Sequence, residues 1–357
     1  MLPKRRKIRF PNGVEVTTPL VIPAISTRNV GRFEPEGEHG EPLPPVSYAS
    51  MVLEFLGPHL DKALLVSAYD LHYGSLYEGE RLLAGAAHTP FHNPNFLMID
   101  SGLYETRQRV GYDDGYEQPR DWKFETYAEL LQRLPDSLPA AVVNFDLNAD
   151  EMENPADISY AAQLKRARKF FSTQPEQFVS VCLLKPERAR GFISPKDLTP
   201  HAGELKEFDI VAVTEKELGD SLRDRFAHLV ELRRLLDRES VPAPIHVFGG
   251  LDPLLTPLYI ACGAEIVDGV GWLRYAYSAR DDTATYLESR PVSEVELDMR
   301  VPNRLFRTFS DNLTYLHSLR NRLELLLDSR DWQSFSEAQG EALERCVATI
   351  FSNLEVN

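Results

Sequence analysis

Cysteine is scarce in this 357-residue chain. Cys182, Cys262 and Cys346 are far apart and odd in number, and no CxxC pair occurs, which excludes a disulfide framework and the usual cysteine-based metal or redox site. They read most simply as small buried hydrophobes. Long apolar runs are missing as well. None reaches the ~18 residues that would point to a membrane-crossing helix, and the opening MLPKRRKIRF has basic residues without a following apolar signal core. The chain therefore reads as cytoplasmic, with no membrane partner. Positive charge is in deficit: 39 Lys and Arg stand against 54 Asp and Glu, a formal charge of −15, which is unfavourable for a protein whose main partner is a polyanion. Lys4-Arg5-Arg6-Lys7 and Lys165-Arg166-Ala167-Arg168-Lys169 are candidates for a local basic face, although such runs are ordinarily solvated surface. No GxGxxG or Walker pattern follows any apolar run, which weakens a nucleotide-binding fold.

What is present is a recurring unit. Short β-rich apolar runs occur at TPLVIPAI (18–25), ALLVSAY (63–69), NFLMIDSG (95–102), AAVVNFD (140–146), QFVSVCLL (177–184), FDIVAVT (208–214), IHVFGG (245–250) and AEIVDGV (264–270). They are continuous, not alternating, as expected of parallel strands covered on both faces. Segments with helical spacing separate them, such as 159–171, 220–239 and the short 253–263. Eight strand–helix units predict an α/β fold, a closed (β/α)8 TIM barrel over residues 1–302, with a doubly wound open sheet as the alternative. From Asn303 onward the apolar spacing is purely helical, which predicts a C-terminal helical extension over 303–357 packed on the barrel. Two polar insertions, near 31–45 and 111–122, read as loops, the first as a lid or flap and the second as projecting over the barrel mouth.

Three of the strands end in aspartate: Asp100 in MIDSG, Asp146 in NFD and Asp268 in IVDG. Barrel active sites form at the C-terminal strand ends, so the three carboxyls should converge on one mouth. Taken singly, each is equally a helix cap or a turn residue. Taken together, with Gly or Asn beside them, they permit displacement at a sugar carbon: one carboxylate attacks C1′, a second moves protons, and a third reads the N–H edge of a purine-like base. Tyr104 and Phe248 are placed to hold such a base by its faces, although core packing explains Phe248 equally well. A metal-dependent hydrolase is the rival from barrel chemistry, but it would recruit several histidines at strand ends. Only His246 lies in a strand, and it is expected to point into the barrel wall or core.

The pattern resembles the tRNA-guanine transglycosylase (queuine/archaeosine tRNA-ribosyltransferase) family, which exchanges guanine for a 7-deazaguanine in nucleic acid, as in queuosine formation. The resemblance runs through IRFPNGVEVTTPLVIPAIST (8–27), IDSGLYE (99–105), NFD (144–146), HVFGGLDP (246–253), IVDGVGWLR (266–274) and DNLTYLHSLRNRLELLL (311–327). It implies Asp268 as the nucleophile on C1′ and Asp100 as the general acid/base. It implies Asp146 as the reader of the base's N–H edge, with Ser101 and Gly102 beneath the base, Tyr104 and Phe248 sandwiching it, and Gly249 at the turn beside it. Arg274 would position the nucleic-acid backbone or a partner.

Departures from the family pattern change what is expected. The CxCxxC of the family's zinc site is missing, and Asp311 stands where its histidine would be, so the reading includes no metal and no cofactor. The fifth strand, VSVCLLKP (179–186), lacks the family's V-Q-G-G, and the sixth, VAVTEKELG (211–219), lacks its glycine turn. The implied ligand is a 7-deazaguanine-type base; the carrier is open between tRNA or DNA, disfavoured by the charge, and a protein partner. Two functions stay in view: a base-exchanging pentosyltransferase, and a non-catalytic adaptor of the same fold that recognises a deazaguanine or a deazaguanine-modified protein in antiviral defence. An unrelated barrel whose acids are caps is the third reading. Family members tend to pair through their barrels, so a homodimer is compatible with the resemblance.

Overall fold

A computed structural model of the chain describes residues 4–29, 32–33, 46–106, 121–146, 158–187, 191–290 and 301–355. Strands β1 (Lys7–Arg9) and β2 (Glu15–Thr17) form an antiparallel hairpin. Strand β3 (Leu20–Ile25) then opens the barrel, and β4 (Arg32–Phe33) pairs with β5 (Val46–Ser47) across the first insertion. The barrel continues with β6 (Ala63–Ser67), β7 (Phe96–Asp100), β8 (Ala140–Val143) and β9 (Phe178–Leu183). It closes with β10 (Ile210–Thr214), β11 (Ile245–Phe248) and β12 (Ile266–Gly269), the last pairing with β3. All eight pairings are parallel, so the protein is a (β/α)8 barrel and the open-sheet alternative is rejected.

Side-chain parity divides each strand between two cores. Leu20, Ile22 and Ala24 of β3, Ala63 and Leu65 of β6, and Phe96 and Met98 of β7 fill the barrel interior. Val21, Ile25, Leu64, Val66, Leu97 and Ile99 face the surrounding helices. Because both faces are covered, a strand has no polar side to show, which is why the runs are continuous in sequence. The β1–β2 hairpin adds Ile8, Phe10 and Val16 to the interior cluster, with Phe10 5.0 Å from Phe96 between ring centroids. Each of these side chains contributes about 1.5–3 kcal/mol by leaving water.

The hairpin is tied down by charge. Arg6 reaches Glu265 at 2.8 Å and Asp237 at 3.0 Å, beside the fully buried Arg233, which also faces Glu265 at 3.5 Å. Lys4 pairs with Asp237 at 3.4 Å, Arg5 with Asp328 at 2.8 Å and Lys7 with Glu15 at 2.6 Å. The first basic run thus serves as a fastening, and in the second Ala167 is buried while Arg168 pairs with Glu204 at 2.7 Å.

After β12 comes a second hairpin, β13 (Tyr275–Ser278) with β14 (Thr283–Tyr286), and then two helices, Val301–Ser329 and Glu337–Glu355. The first packs on β13, on β3 and on the Tyr48–Leu56 helix, and the second on the Leu222–Arg238 and Leu255–Ala261 helices. Among the described residues, no helix is long and apolar enough to cross a membrane. One expectation is corrected: Cys182 and Cys262 are buried, but Cys346, on the outer side of the last helix, is exposed. Of the two insertions, residues 31, 34–45 and 111–120 lie outside the described residues, and with them the expected lid and the loop over the mouth.

Candidate active site

Parity also builds the mouth. In five of the eight strands a polar residue stands two beyond the last apolar interior position: Ser67 after Leu65, Asp100 after Met98, Lys185 after Leu183, Thr214 after Ala212 and Asp268 after Ile266. The barrel interior is therefore apolar below and polar at its C-terminal rim, where the strands stop and side chains meet. In register, Ser67 lies beside Asp100 and Asp268 beside Ile22.

Asp100 is half-buried at the end of β7. Burial, and then the nearby carboxylates Asp146 and Asp268, push its carboxyl up to about 7, against a hydrogen bond from the Ser101 backbone and the charge of Lys185. All three aspartates stand at or just past C-terminal strand ends, near enough that Asp146 and Asp268 act on the Asp100 carboxyl.

Asp268 is almost completely buried. Its Oδ1 accepts from the Gly249 N–H at 3.2 Å and lies 2.9 Å from His246 Nε2. The turn after β11 is shaped to deliver that amide: Gly249 has φ +76, a left-handed conformation natural to glycine, and open space where a side chain would stand. Phe248, half-buried on the same strand, lies against the His246 ring with centroids 4.0 Å apart.

Asp146 is buried and doubly engaged. Ser101 donates its hydroxyl to Oδ1, and Lys185 Nζ lies 3.1 Å from Oδ2. The NFD segment reaches this point because Asn144 continues the β8–β9 ladder with its side chain, its Oδ1 accepting from the Leu183 N–H at 2.6 Å. Lys185, also buried, is held by Gln163, whose Oε1 accepts from its backbone N–H at 2.8 Å. Its ammonium also lies 3.3 Å from Glu217 and 3.4 Å from the Thr214 hydroxyl.

Gly102 has φ +88, and a Cβ there would fall 2.8 Å from the Tyr69 Cβ. Trp122, the described end of the second insertion, donates its indole N–H to the Ser101 carbonyl at 2.8 Å and braces this turn from below. Tyr104 is exposed and carries the Arg28 guanidinium 5.2 Å over its ring. Tyr104 and Phe248 thus each have a neighbour of their own, Arg28 and His246. Arg274 is exposed, 5.8 Å from the Tyr275 ring. Its loop is pegged by Asn312, whose Nδ2 donates to the Trp272 and Tyr275 carbonyls. Asp311, at the position of the zinc-binding histidine in the pattern above, pairs with Arg290.

Three groups at this mouth, Lys185, Glu105 and Asp70, are additions to the sequence reading, and His246 gains a partner there. His246 does point into the barrel, and there it meets Asp268. Lys185 had the parity signal, two residues past Leu183. Glu105 and Asp70 are fully buried behind Asp100: Glu105 accepts from the Ser26 and Ser67 hydroxyls at 2.8 and 2.7 Å, and Asp70 from the Thr27 N–H at 2.9 Å. Burial holds Glu105 well above the usual carboxylate range, with Asp70 and Asp100 adding to it, and burial lifts Asp70 to about 6. Both acids sit on short helices just past strand ends, where an amphipathic pattern is too brief to read.

No protein-family model matches the chain, and no curated protein matches it in sequence. The site rests on its own geometry.

Proposed function

We propose that the barrel mouth binds a 7-deazaguanine-type base and exchanges it at a ribosyl C1′, with Asp268 as the nucleophile and Asp100 as the general acid/base. The supporting observation is the split between these two neighbours. Asp100 has its carboxyl raised to about 7, so near neutral pH it both gives and takes a proton, whereas Asp268 is anchored by N–H donors on a single oxygen. Two carboxyls in environments that differ this way are suited to acid/base and nucleophilic roles respectively.

The exchange balances without an outside reagent. A lone pair on Asp268 forms a bond to C1′ as the bond from C1′ to the base nitrogen breaks; the electron pair leaves with the base, and protonated Asp100 supplies its proton. The incoming base returns that proton to Asp100, its nitrogen attacks C1′, and the bond to Asp268 breaks. Asp146 would accept from the base's N–H edge, with Ser101 and Gly102 beneath it and Gly249 at the turn beside it. Tyr104 and Phe248 would cover the faces, and Arg274 would position the carrier from the rim.

One observation favours the adaptor version as a second reading. The first basic run, which would grip a polyanion, is engaged in ion pairs within the chain through Lys4, Arg5, Arg6 and Lys7, and so is Arg168 of the second. A pocket that recognises a deazaguanine on a protein partner, in an antiviral setting, needs no such grip.

Calorimetry with 7-deazaguanine and 7-cyano-7-deazaguanine, wild type beside Asp146→Asn, tests the pocket. Saturable binding weakened at least tenfold by the substitution is expected; no binding of either base overturns it. Covalent trapping on bulk tRNA, on DNA and on free guanosine then tests turnover: an adduct lost in Asp268→Asn supports exchange, and binding without any adduct favours the adaptor.

A further inference from the structure

We infer that His246 is the positioning residue of Asp268: it clamps Oδ1, so that Oδ2 is the oxygen presented to the sugar carbon. This rests on the reading of Asp268 as nucleophile and adds to it which oxygen attacks and what holds it.

The two residues come from neighbouring parallel strands. His246 of β11 pairs in register with Ile266 of β12, and Asp268 lies two residues further on, on the same inward face. The imidazole therefore reaches up along the barrel interior toward the rim. Its Nε2 lies 2.9 Å from Oδ1, and the Gly249 N–H reaches the same oxygen at 3.2 Å. Among the described residues, no hydrogen bond is made to Oδ2.

An unrestrained aspartate rotates about χ2 and exchanges its oxygens; one with two donors on a single oxygen does not. A displacement needs the attacking lone pair in line with the departing base, and preorganised geometry of this kind is a large share of what an enzyme contributes. The ring itself cannot swing away. It is fully buried, covered by Phe248 at 4.0 Å, and flanked in register by Ala212 and Ile266. Donation from Nε2 also fixes the tautomer, since a neutral imidazole that donates there has its lone pair on Nδ1. Nδ1 is buried and makes no hydrogen bond among the described residues. His246 touches neither sugar nor base, and acts through Asp268.

The substitution His246→Gln keeps a donor near the Nε2 position, and His246→Leu removes it. With radiolabelled guanine as the incoming base and bulk tRNA, DNA or guanosine as the carrier, His246→Leu should lower kcat about 100-fold or more with KM nearly unchanged, and His246→Gln should recover most of that loss. A readout free of turnover goes with it: the imidazole nitrogen spectrum should show an Nε2–H tautomer whose downfield proton shift disappears in Asp268→Asn. Equal rates for the Leu variant and wild type, equal losses for Leu and Gln, or an imidazole signal indifferent to Asp268→Asn would each overturn the positioning role alone. A wild type that forms no adduct on any of the three carriers while the imidazole signal does respond to Asp268→Asn would overturn the exchange reading, and this role with it.

Discussion

Lys185 and Asp146, the ends of two neighbouring strand–loop units, form a buried ion pair at 3.1 Å in the middle of the acidic mouth. The pair explains how Asp146 can sit beside Asp100 and Asp268. Three carboxylates at one largely buried mouth repel, and a single ammonium among them offsets part of that repulsion. Replacing Lys185 with Met should therefore cost about 3 kcal/mol in urea unfolding, because it leaves buried Asp146 and half-buried Glu217 without their cation. The double variant Lys185→Met/Asp146→Asn should recover part of the loss. A cost under about 1 kcal/mol, the level of an exposed pair, would show that the mouth is wet enough to screen them.

Stability should run against the usual acid trend over part of the pH range. Asp100, raised from 3.8 to about 7, holds a proton in the folded chain that the unfolded chain has already released. Such a group stabilises the fold fully below about pH 4, and that contribution is lost as pH rises through about 7. Asp70, lifted to about 6, acts in the same direction. Asp100→Asn cannot ionise, so the stability of the variant relative to wild type should increase between pH 5 and pH 8, by roughly 1 kcal/mol given the partial exposure of Asp100. Paired urea titrations at the two pH values measure this. A constant difference would mean that Asp100 titrates as an ordinary surface carboxyl.

Two glycines at the mouth should behave differently on substitution by alanine. Both have left-handed φ, +88 at Gly102 and +76 at Gly249, which costs an alanine about 1 kcal/mol. Only at Gly102 does the new Cβ also collide, 2.8 Å from the Tyr69 Cβ and 2.9 Å from the Tyr69 backbone nitrogen. Gly102→Ala should therefore destabilise by roughly 3 kcal/mol and Gly249→Ala by roughly 1 kcal/mol. Thermal unfolding of the two variants side by side tests the ordering, and equal losses would refute it.

The barrel was legible because its strands are apolar on both faces, so each appears as an unbroken run bounded by helical spacing. The three aspartates were legible because a carboxyl at the end of such a run has no other run to belong to. His246, Lys185, Glu105 and Asp70 were harder for a common reason: their importance lies in what they touch on another strand. His246 is one polar residue inside an apolar strand, and only the β11–β12 register sets it under Asp268. Lys185 follows the strand by two residues and reads as an ordinary loop lysine until Gln163 and Asp146 are seen around it. The first basic run's part in fastening the hairpin was hidden for the same reason, because carboxylate partners such as Glu265 and Asp328 lie hundreds of residues away in sequence.

Those internal ion pairs determine how the protein should meet nucleic acid. Each phosphate neutralised by a lysine or arginine releases counterions, and log K falls with log salt by about 0.9 per phosphate on duplex DNA. Lys4, Arg5, Arg6, Lys7 and Arg168 already face carboxylates at 2.6–3.4 Å, so engaging a phosphate would mean giving up a pair. Exposed Arg274 at the rim has no such commitment to a carboxylate among the contacts described, and the formal charge of −15 repels the polymer at long range. Fluorescence anisotropy of labelled tRNA and duplex DNA across a salt series should therefore give weak binding with a slope no steeper than about −2. Arg274→Ala should flatten it by about one unit, as expected for a single phosphate contact. A slope of about −5 or steeper would make a nucleic acid the carrier despite the charge; a flat line, with the free bases still bound, would leave a protein as the molecule that brings the deazaguanine to this mouth.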